Sequence, residues 1–209
     1  MLETIDRIGD DLFRMTSGDT AWLRRYAALL RRNNQFEDVV DGVNSLTVQF
    51  DPAQIKAGDV ISLLTSIAST ERVEEAVELA TVTLCVCFGG SAGPDIETVC
   101  ENLGLSQQAF IEALCACELQ VDMMGFVPGF AYIKGLPKNF MVPRLATPRQ
   151  KVPAGALGIA AGQLGTYALE GPGGWPIIGR ISVQLFDPNS EQPFLLTGGT
   201  FVRLKVSGG

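Results

Sequence analysis

Apolar side chains recur along the first ninety residues in two different rhythms, and their alternation predicts the order of elements. Trp22, Leu23, Tyr26, Leu29 and Leu30 fall at helical spacing, with Ser17 or Asp19 placed to cap a helix ahead of them. Leu46, Val48 and Phe50 instead alternate with polar neighbours, a strand rhythm that stops at Asp51-Pro52 because the residue before a proline is pushed out of helical space. Residues 11–15 and 36–40 read as further strands, 59–69 as a second helix and 81–87 as the strand after it. Strand, helix, strand, strand, helix, strand is the order of a split βαβ layer. The pattern therefore predicts a small ferredoxin-like α/β domain over residues 1–80.

Beyond it, residues 95–103 and 106–117 carry two short helical patterns separated by Gly104, a residue suited to stopping a helix. After Gly125 no helical period survives. Residues 158–161, 181–186 and 200–206 are β-like, and the glycine and proline clusters between them predict a closed barrel with long surface loops after Gly125, giving an α+β fold. No internal repeat and no low-complexity segment interrupts this plan.

Composition sharpens the division. With 46% hydrophobic and 19% charged residues the chain is globular, and a net charge of −7 argues against nucleic acid as a partner. The total hides an asymmetry: the first 124 residues hold 8 basic and 20 acidic groups, the last 85 hold 8 and 3. Glycine and proline shift too, from 8 and 2 before Gly125 to 15 and 9 from there on. The first six residues have neither the basic start nor the apolar core of a signal peptide, and the apolar runs are too short to span a membrane, so the expectation is a soluble cytoplasmic protein.

The chain has no histidine, which removes the commonest general base and the commonest metal ligand. Its five cysteines all lie between Cys85 and Cys117, an odd set that makes a poor disulfide framework. Cys85-x-Cys87 and Cys115-x-Cys117 lack the two-residue spacing usual in zinc or iron–sulfur sites, so they are expected to be small buried hydrophobes. Phe88-Gly-Gly-Ser-Ala-Gly-Pro-Asp95 sits between a strand and a helix, a context that can cradle phosphate, though Asp95 fits equally as an ordinary helix cap.

The densest candidate site is Gly125-Phe-Val-Pro-Gly-Phe-Ala-Tyr132, followed by Arg144, Arg149, Lys151, Gln163 and the run from Gly171 to Arg180. Glycine lets backbone N–H groups approach a ligand and proline stiffens the loops that carry them. Arg144, Arg149, Lys151 and Arg180 are suited to carboxylate or phosphate, and Phe126, Phe130, Tyr132 and Trp175 to walling a small ligand. Barrel corners, core aromatics and solvated cations would explain the same residues. Asp122 and Glu118 are the carboxylates nearest in sequence, as bases or as paired surface acids.

These motifs resemble a known family. Gly125-Phe-x-Pro-Gly-Phe-x-Tyr, Pro148-Arg-x-x-Val-Pro-Ala-Gly, Gln163-x-Gly-x-Tyr167, Gly171-Pro-Gly-Gly-Trp-x-x-Ile-Gly-Arg180 and Cys87-Phe-Gly-Gly-x-x-Gly-Pro-Asp-Ile are similar to the carboxyltransferase-domain family, which comprises allophanate hydrolase subunit 1, the B-type subunit of 5-oxoprolinase and the KipI kinase inhibitor. The resemblance implies a small α/β domain followed by a cyclophilin-like β-barrel starting near residue 81. It implies ATP-dependent, Mg-assisted opening of 5-oxoproline to glutamate, or allophanate hydrolysis, with no protein-bound metal. The partners it implies are a homologous barrel subunit, akin to the C-type subunit of 5-oxoprolinase or to allophanate hydrolase subunit 2, and a larger third subunit. Mapped onto this chain, it implies a pocket of Phe126, Pro128, Phe130, Arg144, Gly173, Gly174 and Trp175, with Arg149, Arg180 and Gln163 as its catalytic side chains. Arg149 and Arg180 would hold phosphate or carboxylate, and N–H groups around Gly129 and Gly155 would receive the developing oxyanion.

The chain also departs from that pattern. Leu114 stands where the family usually has a histidine. Ala156-Leu157 replaces Ser-Val, Leu164 replaces a threonine, Gly171 a serine and Thr200 an aspartate. The lost groups keep a second class open, a non-catalytic KipI-like inhibitor or a partner-binding subunit.

Overall fold

The computed structural model describes residues 2–69 and 80–207, which divide into two compact units, residues 1–78 and 79–209. The first is a four-stranded antiparallel sheet in the order β1-β2-β4-β3 with two helices. Its elements are β1 (Thr4–Ile8), β2 (Leu12–Thr16), α1 (Thr20–Arg31), β3 (Asp38–Asp41), β4 (Ser45–Gln49) and α2 (Ala57–Ala68). Of the two proposed caps of α1 the structure uses Asp19, whose carboxylate accepts from the Trp22 N–H at 2.9 Å, while Ser17 Oγ accepts from the N–H of Asp19 itself at 3.1 Å. Helix α1 buries Trp22, Leu23, Tyr26, Ala27 and Leu30 against Phe13, Met15, Leu46 and Val48 of the sheet. The Tyr26 hydroxyl, enclosed by this core, donates to the Leu64 carbonyl of α2 at 2.7 Å.

The ferredoxin-like wiring is not what this sheet displays. The strand expected to close the layer, β5 (Thr81–Phe88), belongs to the barrel, and the sheet edge beside β2 is taken by β1. β1 escapes sequence reading because its residues, Thr-Ile-Asp-Arg-Ile, are almost all exposed at an edge and carry only faint alternation.

The second unit holds a closed seven-stranded barrel in the order β10-β7-β6-β13-β5-β12-β9, completed by the antiparallel pair β9·β10. Besides β5 it comprises β6 (Leu119–Met124), β7 (Ala131–Lys134), β9 (Ala156–Ala160), β10 (Gln163–Thr166), β12 (Ile177–Ile181) and β13 (Phe201–Val206). Among the described residues only the β13·β5 pair is parallel. Inward residues, including Leu84, Val86, Val121, Ile133, Leu157, Ile159, Leu164, Val202 and Leu204, form one core with Phe110 and Leu114 of α4 (Gln107–Ala116) and Ile96 and Val99 of α3 (Ile96–Leu103). Gly104 ends α3 in the left-handed conformation at φ 66°, as its identity predicts.

Two strands, β8 (Arg149–Val152) and β11 (Gly171–Gly173), pair outside the barrel. Backbone bonds from Gly155 N to Tyr167 O at 2.7 Å and from Tyr167 N to Ala156 O at 2.9 Å link that pair to β9·β10. The β8·β11 ribbon is thus the bent continuation of the β9–β10 hairpin.

The strand expected over 181–186 lies earlier, at β12. Trp175-Pro176-Ile177-Ile178-Gly179-Arg180 reads as turn chemistry, yet it is buried almost throughout, and the chain leaves the wall after Ile181, where Ser182, Val183 and Gln184 are exposed. The expected burial of Cys85 and Cys87 is corrected in the same way. They do share a face, but Leu84 and Val86 take the inward one, leaving both thiols exposed on the outside of the wall, whereas Cys100 is buried.

Candidate functional site

One face of the barrel wall is built to seat rings. Gly158 of β9 and Gly165 of β10 are cross-strand partners, and a Cβ on Gly165 would lie 2.8 Å from both the Phe130 and Trp175 rings. A Cβ on Gly158 would meet Trp175 at 3.0 Å. The missing side chains let aromatic rings lie directly on backbone. Phe130 is the hub: its centroid lies 5.5 Å from Phe126, 4.8 Å from Tyr132, 5.1 Å from Tyr167 and 6.1 Å from Trp175, and Tyr132 and Trp175 are 5.8 Å apart. These are the offset and edge-on separations that aromatic quadrupoles favour. Val152 of the ribbon and Ala156 complete the cluster.

The loop before β7 presents this cluster to solvent. Phe130 N–H donates to Val127 O at 3.0 Å around Pro128 and Gly129, whose φ of 78° makes a type II turn with proline and glycine in their preferred places. A Cβ on Gly129 would lie 2.7 Å from Ala168 and Phe186, so glycine is needed for space as well as for φ. Just before it, Phe126 holds φ 69° while Val127 N–H donates to Gly125 O at 2.9 Å, a tight γ-turn that leaves the Phe126 ring 61% exposed. Left-handed backbone on a bulky residue is strained, and such strain collects at functional sites. Among the described residues the N–H of Gly129 has no acceptor.

Beneath the ribbon, the Tyr167 hydroxyl fits against Gly173, where a Cβ would be 2.3 Å away. Burial pushes this hydroxyl above its ordinary range. The Trp175 backbone N–H bonded to it and the positive charges of Arg144 and Arg149 pull the other way.

Arg149 is otherwise engaged. Its guanidinium donates in bidentate fashion to Asp95, at 2.8 and 2.7 Å, and the Ile177 N–H donates to the same carboxylate at 2.6 Å. Asp95 N–H in turn donates to Ile177 O at 3.0 Å. Asp95 occupies the cap position of α3 but makes no side-chain cap, because its carboxylate ties Arg149 of the ribbon to β12. Arg149, expected to hold phosphate or carboxylate, is placed by the structure in this ion pair between the ribbon and β12. The Gly155 N–H donates to Tyr167 O at 2.7 Å.

The other candidates fall around the cluster. Arg144 is exposed with no ion-pair partner among the described residues, and lies close enough to Tyr167 for its charge to be felt there. Gln163 opens β10 half-buried, and its side chain has no hydrogen-bond partner among the described residues. Gly174 lies against Pro148. Arg180, on the outside of β12, is exposed and unpaired among the described residues, opposite Ala156 on one side and Cys87 on the other. Asp122 is paired with Lys134 at 2.8 Å, Lys151 with Glu170 at 3.0 Å, and Glu118 is exposed.

The glycine loop over 88–95 is packed rather than open. A Cβ on Gly93 would sit 2.1 Å from the Ile178 carbonyl, and the N–H groups of Gly89, Gly93 and Asp95 are spent on Ile178, Gly89 and Ile177 carbonyls. Among the described residues no three Cys, Asp or Glu side chains gather as a metal site. No helix there is long and apolar enough to cross a membrane.

Residues 6–196 match the family described as carboxyltransferase domain, subdomain C and D. The chain belongs to this family. It is 38% identical to the B-type subunit of 5-oxoprolinase from Escherichia coli O157:H7 over 166 residues, which is 79% of this chain and 76% of that one. It is 35% identical to the corresponding 5-oxoprolinase subunit of Bacillus subtilis, over 80% and 74%. Among solved structures, a conserved uncharacterized protein from Pyrococcus horikoshii aligns at TM-score 0.60 and 36% identity over 98% of this chain and 97% of its own. The chain spans 40% of the solved protein TTHA0988, at TM-score 0.81 and 29% identity. It spans 15% of the Kluyveromyces lactis urea amidolyase, at TM-score 0.70 and 16% identity, a likeness of fold alone.

Sequence reasoning missed Asp95 as the anchor of the ribbon. The usable signal was an acid at a helix start next to a glycine loop that fits no phosphate motif.

Proposed function

We propose that this chain is one cytoplasmic subunit of an ATP-dependent amide or lactam hydrolase, of the type that opens 5-oxo-L-proline to L-glutamate. In this reading it works with a homologous second barrel subunit and a larger third subunit. The observation that carries it is the aromatic cluster with an unsatisfied polar edge: exposed Phe126 and, among the described residues, unpaired Arg144, unpaired Gln163 and the unclaimed Gly129 N–H. A flat lactam ring lies against the aromatic surface, its carboxylate is drawn to the Arg144 guanidinium, and Gly129 N–H offers a donor where charge develops on the lactam oxygen. The likeness to proteins named as 5-oxoprolinase subunits supports the substrate class.

In the glycine loop the N–H groups of Gly89, Ala92, Gly93 and Asp95 are spent on backbone carbonyls, and no acidic ligand set is assembled among the described residues. No step is therefore routed through nucleotide on this chain. Arg180 remains available to anions at the outer edge of β12, and Arg149 holds the ribbon.

The test is reconstitution with the two partner subunits and an assay of ATP-dependent 5-oxoproline hydrolysis. Turnover is expected, with Arg144→Ala raising KM roughly tenfold to a hundredfold, the value of a charged hydrogen bond. A complete assembly that turns over neither 5-oxoproline nor allophanate overturns the reading, as does an Arg144→Ala variant with unchanged kinetics.

A second reading, a non-catalytic KipI-like binding module, is favoured by one observation. Leu114, at the family's usual histidine position, is fully buried in the barrel core. Stable binding of all partners without turnover would support it.

A further inference from the structure

The outer face of β12, β5 and β13 has a composition unlike the rest of the barrel. β5 turns Thr81, Thr83, Cys85 and Cys87 outward, all exposed. Register places Arg180 of β12 opposite Cys87, Lys205 of β13 opposite Cys85 and Arg203 opposite Thr83, and paired residues in neighbouring strands point to the same side. None of the three strands carries a carboxylate, and none of these cations has an ion-pair partner among the described residues. Two thiols are thus displayed between unneutralised positive charges. Cys100, by contrast, is buried, and burial pushes its thiol up, as it does those of half-buried Cys115 and Cys117.

We propose that Cys85 and Cys87 form a thiol-modification site for anionic disulfides of the glutathione class, recruited by Arg180 and Lys205. Oxidised glutathione is dianionic overall, and a cationic surface concentrates such a reagent beside the thiols it reacts with. In the exchange a protein thiolate attacks one sulfur of the disulfide. The protein–glutathione S–S bond forms, the original S–S bond breaks, glutathione leaves as a thiolate, and the proton of the protein thiol passes to solvent.

Geometry also fixes the fate of the adduct. Residues two apart on a strand are separated by about 6.6 Å with parallel side-chain directions, whereas a disulfide needs its Cβ atoms about 3.5–4.5 Å apart. The neighbouring thiol therefore does not displace the adduct into an internal disulfide, and the mixed disulfide accumulates.

The experiment treats the folded, fully reduced protein with oxidised glutathione and, in parallel, with the uncharged hydroxyethyl disulfide. Intact mass and peptide mapping locate the adducts. Modification is expected at Cys85 and Cys87 before Cys100, Cys115 and Cys117, with retained glutathione. The preference for the anionic over the neutral disulfide should fall on the order of threefold to tenfold in the Arg180→Gln/Lys205→Gln variant, and likewise in the unaltered protein on raising the salt concentration. The salt arm keeps the test decisive if the double variant folds poorly. A preference that responds to neither change, first modification at another cysteine, or an internal Cys85–Cys87 disulfide would overturn the proposal. None of these readouts depends on hydrolase activity.

Discussion

Strands β9, β10 and β7 and strands β12, β5 and β13 send their inward side chains into the same core and treat their outward ones in opposite ways. On the first set the outward positions are Gly158, Gly165 and Tyr132, and the wall is covered by four further rings and a ribbon. On the second they are Thr83, Cys85, Cys87, Arg180, Arg203 and Lys205, which are exposed, save for Ile177 at the start of β12, which joins the aromatic cluster. A barrel wall needs only its inner face for stability, so the outer face is free to differ. One side has become a second small core around a candidate ligand site, the other a bare charged surface.

Deleting the hub of the covered side should give the largest effect. Phe130 contacts four rings and is 2% exposed, so Phe130→Ala is expected to cost about 3–5 kcal/mol, read as a lower midpoint in denaturant unfolding. A loss below about 1 kcal/mol would mean that the cluster is surface decoration. The ribbon's anchor comes next. Asp95→Ala removes the partner of Arg149 and leaves the Ile177 N–H unsatisfied, a loss of about 1–3 kcal/mol, discounted because Arg149 retains 34% exposure. Asp95→Asn keeps an oxygen for Ile177 and should recover part of that loss. Equal losses in the two variants would assign the effect to charge alone.

Part of this contrast was legible before the fold was known. Gly125-Phe-Val-Pro-Gly-Phe announces a turn because Pro128 and Gly129 occupy the two positions that a type II turn prescribes, and the glycine-rich arm marked the side where rings approach backbone. The period of α1 and its cap were equally readable, since both are local. What stayed hidden depends on which face a strand turns inward. Alternation placed Cys85 and Cys87 together but could not say that Leu84 and Val86 hold the core face. Arg149 looked like a ligand-binding cation because Asp95, its partner, lies 54 residues away. β12 stayed hidden because Pro176 stands just before it and Gly179 inside it, where its pairing with β9 shifts register between Ile177 and Gly179.

A pH titration sharpens the contrast further, because the covered side holds a buried phenol and the bare side holds none. The Tyr167 hydroxyl lies above its ordinary value of 10.0, chiefly through burial. The unfolded chain therefore loses this proton first as pH rises. The associated stability is complete below pH 10 and is lost as pH climbs from there through the folded-state value. Tyr26 behaves in the same sense within the first unit. Unfolding midpoints should fall above pH 10, and Tyr167→Phe should shallow that fall, with Tyr26 supplying the remainder. An unchanged alkaline slope in Tyr167→Phe would show that the ribbon does not shield the hydroxyl.

The smallest effect is expected on the bare side, and its smallness is the informative part. Cys85 and Cys87 are exposed, make no side-chain hydrogen bond among the described residues and face no packed element, so Cys85→Ser and Cys87→Ser remove neither core volume nor a partner. Each should change unfolding stability by about 0.5 kcal/mol or less, the range of surface substitutions away from special features. Cys100→Ser, from the same residue type in the barrel core, should cost measurably more, since it buries a hydroxyl among apolar groups. If the serine variants at 85 and 87 proved as costly as the one at 100, the outer face of β5 would have to be covered in solution, and the difference between the two sides of the wall would disappear.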